Sequence, residues 1–180
     1  MRKFNAILTV LIMILFLDHA IFGSLQLFGA NNVMVMKVTA RICAMLIFIH
    51  AVIGIILTVE SIRVWRKTGA PYFHENTLFW ARRISGAAIM ILMFFHMFAF
   101  SSTVNGVLQL KPFTTAKTIT QILFVVSIAV HVLTNIRPLF IALGARSWKR
   151  FLPDVLVALS IVLIIFIVAF IIYYVRWQRI

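Results

Sequence analysis

The sequence predicts an all-α membrane protein with five transmembrane helices. Hydrophobic residues make up 63% of the 180-residue chain. They fall in runs of the roughly 20 residues that a bilayer core requires. The polar stretches between these runs are too short to fold on their own. We therefore expect one membrane domain over residues 1–180.

Turn-forming and basic segments separate the predicted helices. Gly, Asn and Pro residues mark the breaks after the first and third helices. Polar, basic loops follow the second and fourth. Pro153 and Asp154 are placed to open the last helix. The predicted helices cover residues 4–24, 38–62, 78–101, 117–141 and 154–176.

The basic residues predict the orientation of the chain. Eleven of the 17 Lys and Arg residues fall on the side of the N-terminus and six on the other side. The positive-inside rule then puts the N-terminus in the cytoplasm and the C-terminus outside. The same clustering accounts for the formal charge of +13 without nucleic acid, because no soluble basic domain remains to bind it. A cleaved signal peptide is the alternative for the first helix, but Asp18 and His19 within it disfavour that.

Each of the first four helices carries one histidine inside its predicted span, and a fifth, His74, lies in a loop. Polar side chains are costly there and usually functional, although any one alone is also explained as a buried histidine bonded to a neighbouring helix. His19 and His96 come late in helices that run outward. His50 and His131 lie near or past the middle of helices that run inward. Depth therefore pairs His19 with His96 and, closer to the cytoplasm, His50 with His131.

Two neutral imidazoles facing each other across a helix bundle are the arrangement for a six-coordinate haem iron. Two such pairs at two depths predict two haems stacked across the bilayer, held by the first four helices. Zinc is the competing metal, but it favours a single tetrahedral cluster over two separated pairs.

Small and basic residues near the inner pair predict the surroundings of the inner haem. Ser85 and Gly86 lie about 15 Å of helix before His96, so the third helix passes that level with a hydroxyl and no side chain. Arg82, Arg83 and Arg137 lie at the cytoplasmic ends, where haem carboxylates would point. Topology and snorkelling explain these arginines equally well.

The segment "ENTLFWARRISGAAIMILMFFHMFAF" resembles a helix of the diheme cytochrome b subunit of succinate:quinone oxidoreductases, a class that includes quinol:fumarate reductases. "LIFIHAVIGIILTVESIRVWRK" is similar to the second helix of that family, and "FVVSIAVHVLTNIRPLFIALG" to its fourth. His19 fits the first ligand position. The matching positions in the quoted segment are Thr77, Leu78, Trp80, Ser85, Gly86 and His96.

The resemblance implies two b haems, the outer bound by His19 and His96 and the inner by His50 and His131. It also implies a flavoprotein and an iron–sulfur protein anchored on the cytoplasmic face of a bacterial or archaeal membrane, with FAD and the clusters in those partner subunits. Electrons would pass between succinate or fumarate and a membrane quinone, usually menaquinone in five-helix members. The dicarboxylate active site would lie in a partner subunit. A higher oligomer is compatible with this.

The chain departs from the family pattern in its short length, in its tight first outer loop and at a position near the fourth ligand. Some members carry a carboxylate two residues before the fourth ligand, where this chain has Ala129. Asp18 and Glu60 are the acids available inside the helices. Asp18, beside an outer ligand, is a candidate for taking protons from a quinol, and an interfacial role explains it as well.

Two alternatives remain at the level of the sequence. A diheme cytochrome b subunit of a formate dehydrogenase or hydrogenase shares the haem chemistry but distributes its ligands differently along the helices. A small transporter would need intramembrane carboxylates or broken helices around a path, and the predicted spans contain little of either.

Overall fold

A computed structural model of the chain describes residues 1–29, 34–69, 77–104, 107–145 and 148–178. Within these ranges only the backbone is described for residues 34–37, 101–104, 107–110 and 148. Five helices are long and apolar enough to cross a membrane, which confirms that part of the predicted fold class. They are α1 (Arg2–Leu27), α2 (Met34–Thr68), α3 (Thr77–Ala99), α4 (Thr115–Ala142) and α5 (Trp148–Trp177).

The second helix is longer than predicted. α2 continues past residue 62 through a basic segment and ends at Thr68. Gly69 follows with φ of +63°, a left-handed conformation that glycine adopts without a steric penalty at helix ends. The predicted boundary was wrong because it followed the end of the apolar run, whereas the helix ends where the backbone turns.

The fifth helix begins before the predicted proline. α5 starts at Trp148, and Pro153 lies inside the helix. The helix therefore begins five residues before Pro153, and the prediction that this residue opens the helix was wrong.

A β-hairpin stands where the sequence predicts a loop between α3 and α4. Strand β1 (Ser101–Val104) pairs antiparallel with strand β2 (Val107–Leu110), with Ser101 opposite Leu110. The N–H of Lys111 donates to the carbonyl of Phe100 at 2.7 Å, which extends the pairing towards α3. The hairpin therefore returns the chain directly to the start of α4.

The packed core lies among α1, α3, α4 and α5. Its fully buried members are Leu27, Ala99, Phe113, Phe124, Val125, Ile128, Leu163, Phe166, Ala169, Phe170 and Tyr173. Five of these belong to α5. The fifth helix is therefore an integral part of the bundle.

α2 is placed differently from the other helices. It packs against α1 and makes few contacts with α3 or α4. Among the residues that the structure describes, no member of the buried core cluster comes from α2. The space left between α2 and the α3–α4 pair forms the cavity described next.

Candidate cofactor site

A cavity of about 2210 Å³ lies inside the bundle, with lining residues from all five helices. Single small-molecule sites reach about 1,000 Å³, so this cavity has room for more than one bound group. His19, His50, His96 and His131 all line it. The site is therefore a large chamber with the four intramembrane histidines on its walls.

The structure brings together the two histidine pairs that depth predicts. The ring centroids of His19 and His96 are 5.9 Å apart, with the ring planes at 80°. Those of His50 and His131 are 6.3 Å apart, with the planes at 89°. Each pair joins one ring from the α1–α2 side to one ring from the α3–α4 side.

These separations fit one metal atom between each pair of rings. An imidazole nitrogen binds a metal at about 2 Å, so two nitrogens on opposite sides of one metal lie about 4 Å apart. Each nitrogen is about 1 Å from the centre of its ring, which gives roughly 6 Å between centroids. The observed spacings match that value. The donor set is thus suited to a six-coordinate haem iron at each pair.

The hydrogen bonds of His131 determine which of its nitrogens is available. Its Nδ1 lies 3.1 Å from the carbonyl oxygen of Arg82 and 3.2 Å from the hydroxyl of Ser85. A carbonyl oxygen only accepts, so Nδ1 must carry the proton. The Ser85 hydroxyl donates to the carbonyl of Ala81 and can therefore accept from the same N–H. The Nε2 atom of His131 keeps its lone pair, which is the form that binds a metal.

His50 and His96 follow the same rule. Nδ1 of His50 lies 3.4 Å from the hydroxyl of Thr9, which itself donates to the carbonyl of Asn5 and so accepts from the ring. Nδ1 of His96 lies 2.7 Å from the amide oxygen of Gln121. Both rings therefore carry the proton on Nδ1 and leave Nε2 with a lone pair. Nδ1 of His19 is buried and has no hydrogen-bond partner in the described part of the chain.

The His19–His96 pair defines an outer level and the His50–His131 pair an inner level of the cavity. Three helices give the same separation between these two levels. Thr9, which contacts inner His50, precedes outer His19 by ten residues on α1. On α3, Gly86 lies against inner His131 and precedes outer His96 by ten residues. On α4, Gln121, which contacts His96, precedes His131 by ten residues. At 1.5 Å of rise per residue the levels are about 15 Å apart.

Two glycines leave space around the inner pair. A Cβ on Gly86 would lie 3.2 Å from Cε1 of His131, so the ring of His131 would have to shift by a few tenths of an ångström to make room for a side chain. Gly54 follows His50 by one helical turn and lines the cavity, with no atom within 4 Å of where its Cβ would be. A flat ring between His50 and His131 would therefore meet little obstruction from α2.

Arg82 joins α3 to α4 through a carbonyl that a proline leaves free. Pro138 lies inside α4 and has no N–H, so the carbonyl of Thr134 loses its partner within the helix. Nε of Arg82 donates to that carbonyl at 3.0 Å. Together with the bond from His131 to the Arg82 carbonyl, this fixes the two helices to each other beside the inner pair.

The other predicted residues of the inner site fall into different positions. Arg83 lines the cavity, with its guanidinium carbon 5.0 Å from the centroid of the Phe79 ring. Ser85 is buried and contacts His131 as described above. Arg137 is exposed and is not among the described residues that line the cavity.

The acidic residues contribute unequally to the cavity. Asp18 is half-buried beside His19 but does not line the cavity within the described structure, whereas Glu60 does. Ala129 packs against the buried core. Among the described residues there is no group of three or more His, Cys, Asp or Glu side chains of the kind that zinc requires. His74 lies outside the described residues.

Two residues that contact the histidines were not predicted from the sequence. Thr9 and Gln121 accept the ring protons of His50 and His96. Gln121 carries a signal that was available, because an amide inside an apolar helix is costly unless it is hydrogen-bonded. Thr9 carries a weaker signal, since a membrane-helix threonine can bond to its own backbone.

Comparison of the chain with protein-family models, with curated proteins and with solved structures gives no match. The functional interpretation therefore depends on the geometry of the four histidines and on the resemblance of the helices in sequence.

Proposed function

We propose that this chain is a membrane cytochrome b that holds two haems, an outer one on His19 and His96 and an inner one on His50 and His131. The observation that carries this proposal is the pair of histidine couples, at 5.9 and 6.3 Å between centroids, on the walls of one cavity. A haem with two histidine ligands is a one-electron carrier. Two of them about 15 Å apart would span much of the bilayer core.

The residues of the chain have separable tasks in this proposal. The four Nε2 atoms are the ligands. Thr9, Ser85, Gln121 and the Arg82 carbonyl accept the opposite ring protons and hold three rings in place. Arg82 and Arg83 line the cavity and are the candidates for pairing with the carboxylates of the inner haem.

The resemblance in sequence supports a more specific role. In that role, the chain is the membrane anchor of a succinate dehydrogenase or fumarate reductase, and its N-terminus lies in the cytoplasm. A flavoprotein and an iron–sulfur subunit bind the cytoplasmic face and carry FAD and the clusters. The chain then passes electrons between the iron–sulfur subunit and a quinone, with menaquinone the expected type.

Haem content is the first test. The protein is purified in detergent, its haem is quantified per polypeptide, and a reduced-minus-oxidised spectrum is recorded. Two b haems per chain support the proposal. One haem means that one histidine pair is only structural. A folded protein without haem, from cells with adequate iron, overturns the proposal and favours the small transporter.

The partner is tested separately. The complex is purified under mild conditions, and its haems are reduced in turn by succinate, formate or hydrogen. Reduction by succinate with a co-purifying flavoprotein supports the anchor role. Reduction by formate or hydrogen instead assigns the chain to another quinone-linked dehydrogenase, for which the same two histidine pairs would serve.

A further inference from the structure

We propose that Gln121 is a positioning residue of the outer site, whose amide oxygen fixes the orientation of His96 and sets the electron density of its ring. This role rests on the proposed function, because its effect is on the haem that His19 and His96 would hold. Gln121 does not line the cavity within the described structure, so it acts through His96.

The contact between Gln121 and His96 is short and shielded. Gln121 is 1% exposed, and its Oε1 lies 2.7 Å from Nδ1 of His96. The His96 ring also packs against Phe100 at 5.1 Å between centroids and against Phe124 at 5.0 Å. Phe124 follows Gln121 by three residues, on the same face of α4. One face of α4 therefore supplies both the hydrogen bond to Nδ1 of this ring and an aromatic side chain that packs against the ring.

The outer site depends on this contact more than the inner site depends on any single one. At the inner level both rings have acceptors for Nδ1, and His131 has two of them. At the outer level Nδ1 of His19 has no partner among the described residues. The amide of Gln121 is thus the acceptor that orients a ligand at the outer level.

The strength of this acceptor should change the redox behaviour of the outer haem. An acceptor at Nδ1 makes the ring a more basic ligand, and a more basic ligand favours the ferric state. A methionine at this position has a similar length and no acceptor of comparable strength. An ionised glutamate is a stronger acceptor than the amide. The two substitutions should therefore move the outer potential in opposite directions.

The experiment is a redox titration of both haems in the wild-type complex and in the variants Gln121→Met and Gln121→Glu. We expect Met to raise the outer midpoint potential and Glu to lower it, with the inner one unchanged. A tenfold change in the preference for ferric over ferrous iron corresponds to about 59 mV for one electron. The ferric low-spin EPR signal of the outer haem should shift with it.

Thr9→Val is the matched control, because it removes the acceptor from His50 at the inner level. Thr9→Val should raise the midpoint potential of the inner haem and leave that of the outer haem unchanged. Gln121→Asn, a milder change, replaces Gln121→Met if that variant does not accumulate in the membrane. An outer potential that is unchanged or lowered in Gln121→Met would overturn the role of Gln121. A wild-type protein with no haem would overturn the proposed function as well, so the two failures are distinguishable.

Discussion

The ring protons of the intramembrane histidines lie on Nδ1 wherever an acceptor identifies them. His50, His96 and His131 each use Nδ1 for a bond to protein, and all three residues line the cavity. A bond at Nδ1 leaves Nε2 of each ring with its lone pair, as the proposed function requires.

Removing one ligand should affect one level only. His96→Ala should reduce the haem content from two per chain to one and remove the outer signals in a redox titration. His131→Ala should remove the inner signals instead. His74→Ala is the control, since the sequence places that residue in a loop. Loss of both haems in each variant, with the fold retained, would contradict independent pairs.

Adding a methyl group at Gly86 should disturb the inner level. The new Cβ would lie 3.2 Å from Cε1 and 3.4 Å from Nδ1 of His131, so the ring must move and stretch its hydrogen bonds. Such overpacking costs about 1–3 kcal/mol. We expect Gly86→Ala to weaken retention of the inner haem and Gly86→Val to weaken it further, measured as the rate of haem transfer to a scavenging protein. Equal rates in the wild type and Gly86→Val would contradict the close approach.

The residues of the site were predictable to different degrees. The four histidines and their pairing follow from position along each helix, because helix rise converts sequence number into depth. Thr9 and Gln121 do not follow in this way, since a contact between side chains depends on how each helix is rotated about its axis. Ser85 was predicted near the inner level, but its contact with the ring of His131 required the structure.

At the element scale, Pro138 and Arg82 form a unit that spans two helices. The proline frees the carbonyl of Thr134, and the arginine on α3 donates to it. A buried carbonyl without a donor costs about 1–3 kcal/mol, so each residue accounts for the presence of the other. The bond to the Thr134 carbonyl is thus a reason for Arg82 to lie inside the bundle that does not depend on a bound cofactor.

A double-mutant cycle tests this unit. Arg82→Met alone should destabilise the haem-free protein by about 1–3 kcal/mol, because the Thr134 carbonyl loses its donor. In the Pro138→Ala background the helix supplies an N–H, so Arg82→Met should cost less. Unfolding in detergent measures all four free energies. Costs that add within about 0.5 kcal/mol would show that the two residues are not coupled.

The ends of the elements were predicted less well than their number. The apolar run ends before α2 does, because basic residues continue the helix until Gly69. The hairpin had a signal in Asn105-Gly106, the pair most typical of two-residue turns between strands. The sequence analysis interpreted the Asn and Gly residues of this segment as a break between two helices, without strands on either side of it.

At the scale of the whole molecule, the cavity separates α2 from the α3–α4 pair. Composition predicts five apolar helices, and the described residues form five. Composition does not predict the cavity between these helices, because its volume depends on which helices pack against each other and which do not. In the proposed function, bound haem would supply contacts that α2 lacks with α3 and α4.

Removal of haem should therefore loosen α2. Cys43 on α2 is 6% exposed and lines the cavity, with Sγ 3.9 Å from the carbonyl of Ile12 on α1. We expect a membrane-permeant maleimide to label it at least tenfold faster in haem-depleted protein, a difference of about 1.4 kcal/mol. Cys43→Ser should abolish labelling, since it is the single cysteine. Equal rates with and without haem would indicate that α1 alone holds α2.

The ten-residue interval on α1, α3 and α4 has a consequence for how such a chain can change length. A residue inserted between Thr9 and His19 would advance one ring by about 1.5 Å and turn it by roughly 100° away from its partner. The matching interval on α3 or α4 would then have to change as well. A single substitution within one interval leaves the spacing unchanged. An insertion or deletion in one interval requires a matching change in the other two. The distance between the two levels is therefore set jointly by three helices, and a change of length in one helix alone would not be tolerated.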